Sequence, residues 1–359
     1  MAAMPEPRVA DQLAWVTWLR VVAILGVVLI HTVGSTAAGP GSTTTVDGWV
    51  ARVLDLSFLW AVPVFVMLSG ALSLDPSRFR GSGPYLRKRA WRLVPAVVVW
   101  NVVFVVYMAL TRDGWWQGPR AALALVLQGR VAPHLYFFWI VLGLSVLTPV
   151  LVPWVARASR RELFVAALVA YAVPVLSTWP LGTDDGRVAL SHVAWTWWLP
   201  YVGPYLMGRA LRGVLLPRRW VPVSALAVVG LCGLLSWQWR NPAAPAWLEE
   251  WSGAHYYSPS VAVLSVLVLL LAQTTVRDGG ALAHVAGPAV MRVAGPVGSA
   301  TLGIFGLHYL VLLVGIDTGV LGEPVAPWPV LLLRAAVVAV VTTLLVLGLR
   351  RVPVVRAVL

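Results

Sequence analysis

Residues 20–31 read RVVAILGVVLIH, an apolar run closed by an arginine and a histidine. The surrounding stretch from Leu13 to Val33 is long enough to cross a bilayer as a helix, which needs about 20 apolar residues. Eleven steps of roughly 100° bring a side chain back to within about 20° of its starting direction. A helix therefore sets Arg20 and His31 on one face, about 16 Å apart along its axis. Ionisable groups inside a membrane are expensive, so such a pair faces a polar cavity and marks a functional site. Two blander readings stand beside this one. A snorkelling arginine with an interfacial histidine is the first. A cleaved signal peptide is the second, with VVAILGVVLI as its core and the small residues at 34–39 as its processing site. It fits less well, because Arg20 and His31 flank the core and Glu6 and Asp11 weaken the basic lead-in.

The rest of the chain is built of similar material. Its 359 residues are 59% hydrophobic and 11% charged, which excludes an ordinary soluble domain and points to a polytopic membrane protein. The single cysteine, Cys232, lies in an apolar run and rules out a disulfide framework or a thiolate metal cluster. A net charge of +13 would suggest nucleic acid in a soluble protein. Here the basic residues sit at the ends of apolar segments, so they read as topology signals and no nucleic-acid partner is expected. Many of the 20 tryptophans stand near segment ends, as in aromatic belts.

Apolar windows predict an all-α bundle of about ten transmembrane helices, near 13–34, 51–74, 88–110, 134–155, 163–180, 194–212, 221–239, 256–276, 298–317 and 328–349. With the N-terminus inside, most of the 27 basic residues fall on the cytoplasmic side. The outer side receives Arg52, Arg112, Arg120, Arg130, Arg187 and Arg240. This asymmetry predicts that both termini are cytoplasmic, in a multi-pass protein of the inner or plasma membrane. The AALALVLQ run within the outer connection 111–133 suggests a short interfacial helix. One membrane domain, 1–359, is expected, with helices within 13–349 and short tails at 1–12 and 350–359.

Several further residues carry candidate chemistry. VPVFVMLSGALSL (62–74) brings Ser69 and Gly70, small residues that let a helix or a ligand approach closely. LRKRAWRLVP (86–95) carries Arg87, Lys88, Arg89 and Arg92 at the cytoplasmic entrance of the third helix. Guanidinium forks suit phosphate oxygens, although positive-inside topology and contact with anionic lipids account for the same residues. His134 stands at the outer mouth of the fourth helix beside Tyr136 and Trp139, and His308 falls in the middle of the ninth. Both are candidate site-lining residues, with an interfacial and a structural histidine as the plainer readings. Arg334, Asp55 and Asp317 are candidate ion-pair partners that sequence cannot pair. No zinc or calcium spacing, nucleophile elbow, P-loop or dinucleotide loop occurs, so no metal site is expected.

In order along the chain, these motifs resemble the acyltransferase-3 family of integral-membrane acyltransferases. The matching elements are R-x10-H in the first helix, F-x-x-x-SG ending the second, R-x-x-R-x-x-P entering the third, an HL-aromatic start of the fourth, and GI-x-x-x-H near the end. The resemblance runs from about 13 to 350 and is especially close to the bacterial branch that O-acetylates surface glycans. It implies that Arg20 and His31 are the essential first-helix pair and that Arg89 and Arg92 bind the donor. His308 matches a recurrent position. In two places the chain departs from the family. The late motif reads GIFGLH, without the tyrosine that often follows the isoleucine, and no SGNH hydrolase-like part of the kind some members carry is read here.

The expected activity is therefore O-acyl transfer, most simply O-acetylation. Acetyl-CoA or a related acyl-CoA would dock on Arg87, Lys88, Arg89 and Arg92 from the cytoplasm. The acceptor would be a hydroxyl of a cell-envelope polysaccharide or lipid-linked sugar. Neutral His31 would act as general base, with Arg20 orienting the thioester or stabilising developing charge. An acyl-histidine relay through His31 is the mechanistic alternative. A transporter or flippase of a glycan or lipid-linked intermediate is the rival function. It explains intramembrane charge equally well but needs no phosphate clamp.

Overall fold

The computed structural model describes residues 11–177, 193–239, 241, 243–277, 279–356 and 358–359. Among these residues the secondary structure is helical, with no strand. In chain order the α-helices are α1 (Asp11–Ala38), α2 (Val46–Leu56), α3 (Ala61–Ser73), α4 (Ser82–Thr111), α5 (Pro119–Gln128), α6 (Tyr136–Val155), α7 (Arg160–Ser177) and α8 (Val202–Leu211). They continue as α9 (Trp220–Gln238), α10 (Ala246–Ser252), α11 (Pro259–Thr275), α12 (Pro288–Ser299), α13 (Thr301–Asp317), α14 (Trp328–Leu349) and α15 (Pro353–Arg356).

Six helical stretches are long and apolar enough to cross a membrane, and the bent pair α12–α13 makes a seventh if it forms one span. The expected spans at 13–34, 88–110, 134–155, 221–239 and 328–349 correspond to α1, α4, α6, α9 and α14. The expected interfacial helix is α5, closed by Gly129 in the left-handed conformation (φ 66°). Part of the expected 163–180 span, the 181–192 connection, and the charges Arg8, Asp184, Asp185, Arg187 and Arg240 lie outside the described residues.

Three expected spans take a different form, and proline explains each. The second breaks into α2 and α3 around Ser57–Trp60. Pro63 would clash with the carbonyl of residue 59 in a continuous helix, but it is tolerated in the first turn of α3, where its missing N–H has no partner to lose. The sixth shortens to the ten residues of α8, preceded by a 3₁₀ turn at Leu199–Tyr201 that contains Pro200. The ninth gains a preceding helix, α12, which meets α13 at a 67° bend just beyond Pro296. The fourth helix, α4, departs in the opposite sense. It starts at Ser82 rather than 88, launched by Gly81 at φ 103°, so the basic run lies inside the helix rather than at its entrance.

The half-length helices α3 and α8 pack closely side by side. A Cβ at Gly70 would lie 1.8 Å from the Tyr205 carbonyl oxygen, and one at Gly208 would lie 1.9 Å from that of Met67. Glycine at both positions lets the two backbones touch. At the centre stands α1, which contacts α2, α3, α11, α12, α13 and α14. Around it, outward faces such as Val98, Val102 and Val106 on α4 and Leu333, Val337 and Leu344 on α14 are exposed and apolar. In water that would be a liability, whereas in lipid it is the expected outer surface.

Of the three charges left unpaired by sequence, Asp317 forms an ion pair, Arg334 meets backbone carbonyls instead, and Asp55 is in no ion pair among the described residues. Asp317 accepts from Arg112 at 2.9 Å and from the Tyr107 hydroxyl at 2.5 Å. Buried Arg334 donates to the backbone carbonyls of Glu323 (2.6 Å) and Pro324 (3.2 Å), so it holds a loop. On the loop after α3, Asp75 meets Arg212 at 2.7 Å.

Candidate active site

Because α1 is continuous, Arg20 and His31 do share a face, and each opens onto a different cavity. The first cavity, of about 150 Å³ and open to the surface, is lined by Arg20 of α1, Ser69 of α3, Arg89 and Arg92 of α4, and residues of α6, α12 and α13. Its lining contains three guanidinium groups and no carboxylate. They repel one another, Arg20 feeling both Arg89 and Arg92. Charges gathered without counter-ions are costly, and guanidinium groups suit the oxygens of an anion. The bend between α12 and α13 contributes Gly298, Ser299 and Thr301 to the same wall. It therefore adds the amino end of a helix, where unpaired amides and the dipole favour negative charge. Arg350, beyond α14, donates to Ser299 Oγ at 2.9 Å and adds positive charge at the rim.

Arg89 is held in place by its bond to Ser73 Oγ at 2.7 Å, and its guanidinium lies over the Tyr85 ring. It also lines a small side recess of about 20 Å³ with Ser69, Ser73, Ser145 and Tyr205. Arg87 and Lys88 are exposed and line neither space. Gly70 is likewise absent from the cavity walls, being occupied by the contact with α8.

The second cavity, a small void of about 20 Å³, is lined by His31, His134, Tyr136, Tyr256, Phe305 and apolar neighbours. His31 keeps some accessible surface because it faces this space, whereas His134 and His308 are 1% and 0% exposed. The three imidazoles form a compact cluster. Ring centroids lie 5.2 Å apart for His31–His308, 5.9 Å for His31–His134 and 5.0 Å for His134–His308. Tyr309 stands 5.2 Å from His31. Among the described residues no group of this kind is arranged to hold a metal ion.

His308 Nδ1 lies 2.8 Å from the Phe305 carbonyl and 3.1 Å from that of Ile304, so this nitrogen carries the proton. Its Nε2 is then a bare acceptor, buried and without a hydrogen-bond partner. A buried acceptor left unpaired costs about 1–3 kcal/mol. The position is explained if a donor arrives there, from a substrate hydroxyl or from a reoriented His31.

The site unites residues that are far apart in sequence. Arg20, Ser69, Arg89 and Arg92 meet in one cavity, and His31, His134 and His308 meet in another. Arg20 lines the basic cavity and is not among the residues around His31. Sequence reading missed the α12–α13 bend, Tyr205, Tyr256 and Phe305. Proline at 296 and the run of small residues after it signal the bend. The three aromatic residues have no motif that separates them from ordinary core.

The helices long and apolar enough to cross a membrane thus hold an arginine-lined cavity beside a cluster of imidazoles. The chain belongs to the acyltransferase-3 family, whose acyltransferase domain profile matches residues 13–349. It is thus a multi-pass membrane acyltransferase, and that membership implies an acyl donor and an acyl acceptor. No curated protein matches the chain. No solved structure matches it either.

Proposed function

We propose that the chain is an O-acetyltransferase of the cell membrane, moving acetyl from cytoplasmic acetyl-CoA to a hydroxyl of a surface or lipid-linked glycan. The observation that carries this reading is the cavity with Arg20, Arg89 and Arg92 and no acid, separated by one side chain from the chamber with His31. Phosphate-rich acyl-CoA supplies the missing negative charge, and guanidinium groups suit its oxygens. Arg20, sharing a wall with Arg89 and Arg92, takes a donor-binding role in this account, about 16 Å along α1 from His31. Ten spans with cytoplasmic termini remain our reading of the charge asymmetry, supported by Arg157, Arg160, Arg161, Arg218 and Arg219 at helix ends on the same side as the basic cavity.

In the chemical step, neutral His31 takes the proton of the acceptor hydroxyl as its oxygen attacks the thioester carbonyl. The tetrahedral intermediate collapses, the C–S bond breaks, and the departing thiolate takes the proton back from His31. The products are the sugar ester and free CoA. Attack by His31 itself would give an acyl-histidine, detectable as label retained on the protein when acceptor is withheld.

Mass spectrometry of envelope glycans from cells with and without the gene tests the reading. A difference of one acetyl unit per modified sugar is expected. Identical glycans, with altered glycan export instead, would favour the transporter.

A further inference from the structure

Phe305 is the residue that the two cavities have in common. Its ring is 4% exposed and stands among Phe137 (4.9 Å between centroids), His134 (5.3 Å), Phe138 (5.8 Å) and His308 (5.9 Å). Phe137 belongs to the wall of the basic cavity and His134 to that of the histidine chamber. A single aromatic ring thus stands between an arginine-lined space and one lined by histidine, tyrosine and apolar side chains.

The backbone on either side of this ring is pinned. A Cβ on Gly303 would lie 2.9 Å from Val346 Cγ1, and one on Gly306 would lie 2.2 Å from Trp100 Cε2. The carbonyl of Phe305 also accepts from His308. Moving α13 would disturb three contacts at once. Turning the side chain about its own torsions leaves those three in place and breaks instead its ring contacts with Phe137, Phe138, His134 and His308.

We propose that Phe305 is a swinging partition, closed at rest and displaced by the arm of the donor as it carries the acyl group from the arginines to His31. This rests on the donor reading above. Closed, the ring seals one chamber from the other, so a hydrophilic solute entering the basic cavity does not reach the histidines. Displaced, it lets the thioester through and fills the space around it, keeping water away from an ester-forming step. Phe305 is in this account a positioning and gating residue, whose ring neither donates nor accepts a proton.

The test separates the partition from the chemistry. Ser69→Cys is placed in the basic cavity of a Cys232→Ser protein, with Phe305 kept or changed to Ala or Leu. An anionic, membrane-impermeant methanethiosulfonate is applied to either face of reconstituted vesicles of defined orientation. With Phe305 in place, labelling is expected from one face only. An open state populated at about 0.1–10% in the parent predicts labelling from the other face at least about tenfold faster with Ala. Leu, which keeps the fold more conservatively, should lie between. In parallel, Phe305→Trp should lose transfer rate at saturating acetyl-CoA. Equal labelling from both faces with Phe305 present, or no change on going to Ala and Leu, would overturn the partition. Failure of acetyl-CoA to bind the parent would remove the donor reading while leaving the labelling result to judge the seal. A Trp variant with unaltered transfer would show that nothing has to pass the ring.

Discussion

The two ends of the buried face of α1 lie in opposite kinds of surroundings. Near Arg20 the wall is cationic, contains a bent helix pair, and collects three guanidinium groups that repel one another. Around His31 it is aromatic and neutral, with rings packed at 5–6 Å and no formal charge among the lining residues. The first arrangement has no carboxylate among its lining residues to offset its charge. The second also holds unpartnered polar atoms, namely His308 Nε2 and both ring nitrogens of His134, but they are neutral acceptors or donors rather than like charges. In the function proposed here, binding and chemistry fall at separate places on one helix. Substitutions at the two ends should fail in different ways.

The largest effect is expected at the neutral end. His31→Ala should lower transfer about 10²–10⁴-fold, the usual contribution of a general base, and leave acetyl-CoA affinity unchanged. Steady-state transfer paired with donor titration checks both halves. Loss of donor affinity in this variant would merge the two regions.

At the cationic end, Arg89→Ala or Arg92→Ala should weaken acetyl-CoA binding about 10–150-fold. This corresponds to about 1.5–3 kcal/mol for one hydrogen bond to a charged group, at about 1.4 kcal/mol per decade. Lysine at either position should restore only part of it, since the planar fork is lost. Affinity should fall as salt rises, because the cavity mouth is wet and screened. Arg87→Ala and Lys88→Ala, at exposed positions on the same helix, serve as controls. If they weaken binding as much as Arg89→Ala, general surface charge and not the cavity attracts the donor.

A third effect concerns the scaffold that both ends share. Gly208→Ala places a Cβ where the Met67 carbonyl stands, so α3 and α8 must separate. Overpacking of this kind costs about 1–3 kcal/mol. Thermal unfolding in detergent should show a lower midpoint. Because Ser69 and Ser73 ride on α3, donor affinity should fall with it while the histidine cluster keeps its geometry.

The smallest effect is a pH dependence outside the membrane. At Asp75 burial alone would raise the pKa, but the Arg212 and Ser77 hydrogen bonds and the Arg212 charge outweigh it and hold the carboxyl below its ordinary value. Its stabilising contribution is therefore complete above the unfolded value of about 3.9 and is lost as pH falls through the lower folded one. Asp75→Asn should lower stability near neutrality by about 1 kcal/mol. That difference from the parent should shrink as pH drops below about 4. A gap that widens on acidification would contradict the sign.

Much of this plan is legible in the sequence. Helical arithmetic alone puts Arg20 and His31 on one face, and three-residue spacing does the same for Arg89 and Arg92. Arg87 lies about 200° around the helix from Arg89, so its separation from the cavity also follows from the wheel. Hydropathy fails where a span is bent or halved, because it measures apolar content and not direction. The prolines at 63, 200 and 296 carry that information and read as breaks only once the neighbouring helices are in place. Burial alone does not distinguish the ring of Phe305 from those of Phe138 and Phe104. Its part in two cavities arises from packing between α1, α6 and α13, which no local pattern records.

The most direct test of separated binding and chemistry is a single-turnover experiment with acetyl-CoA labelled in the acetyl group, on purified parent, His31→Ala and Arg92→Ala proteins with a hydroxylated glycan acceptor. The account predicts that His31→Ala retains bound, unreacted donor at the parent Kd, whereas Arg92→Ala binds weakly but transfers normally once saturated. The opposite pattern, with donor affinity lost at His31 and the saturated rate lost at Arg92, would contradict it.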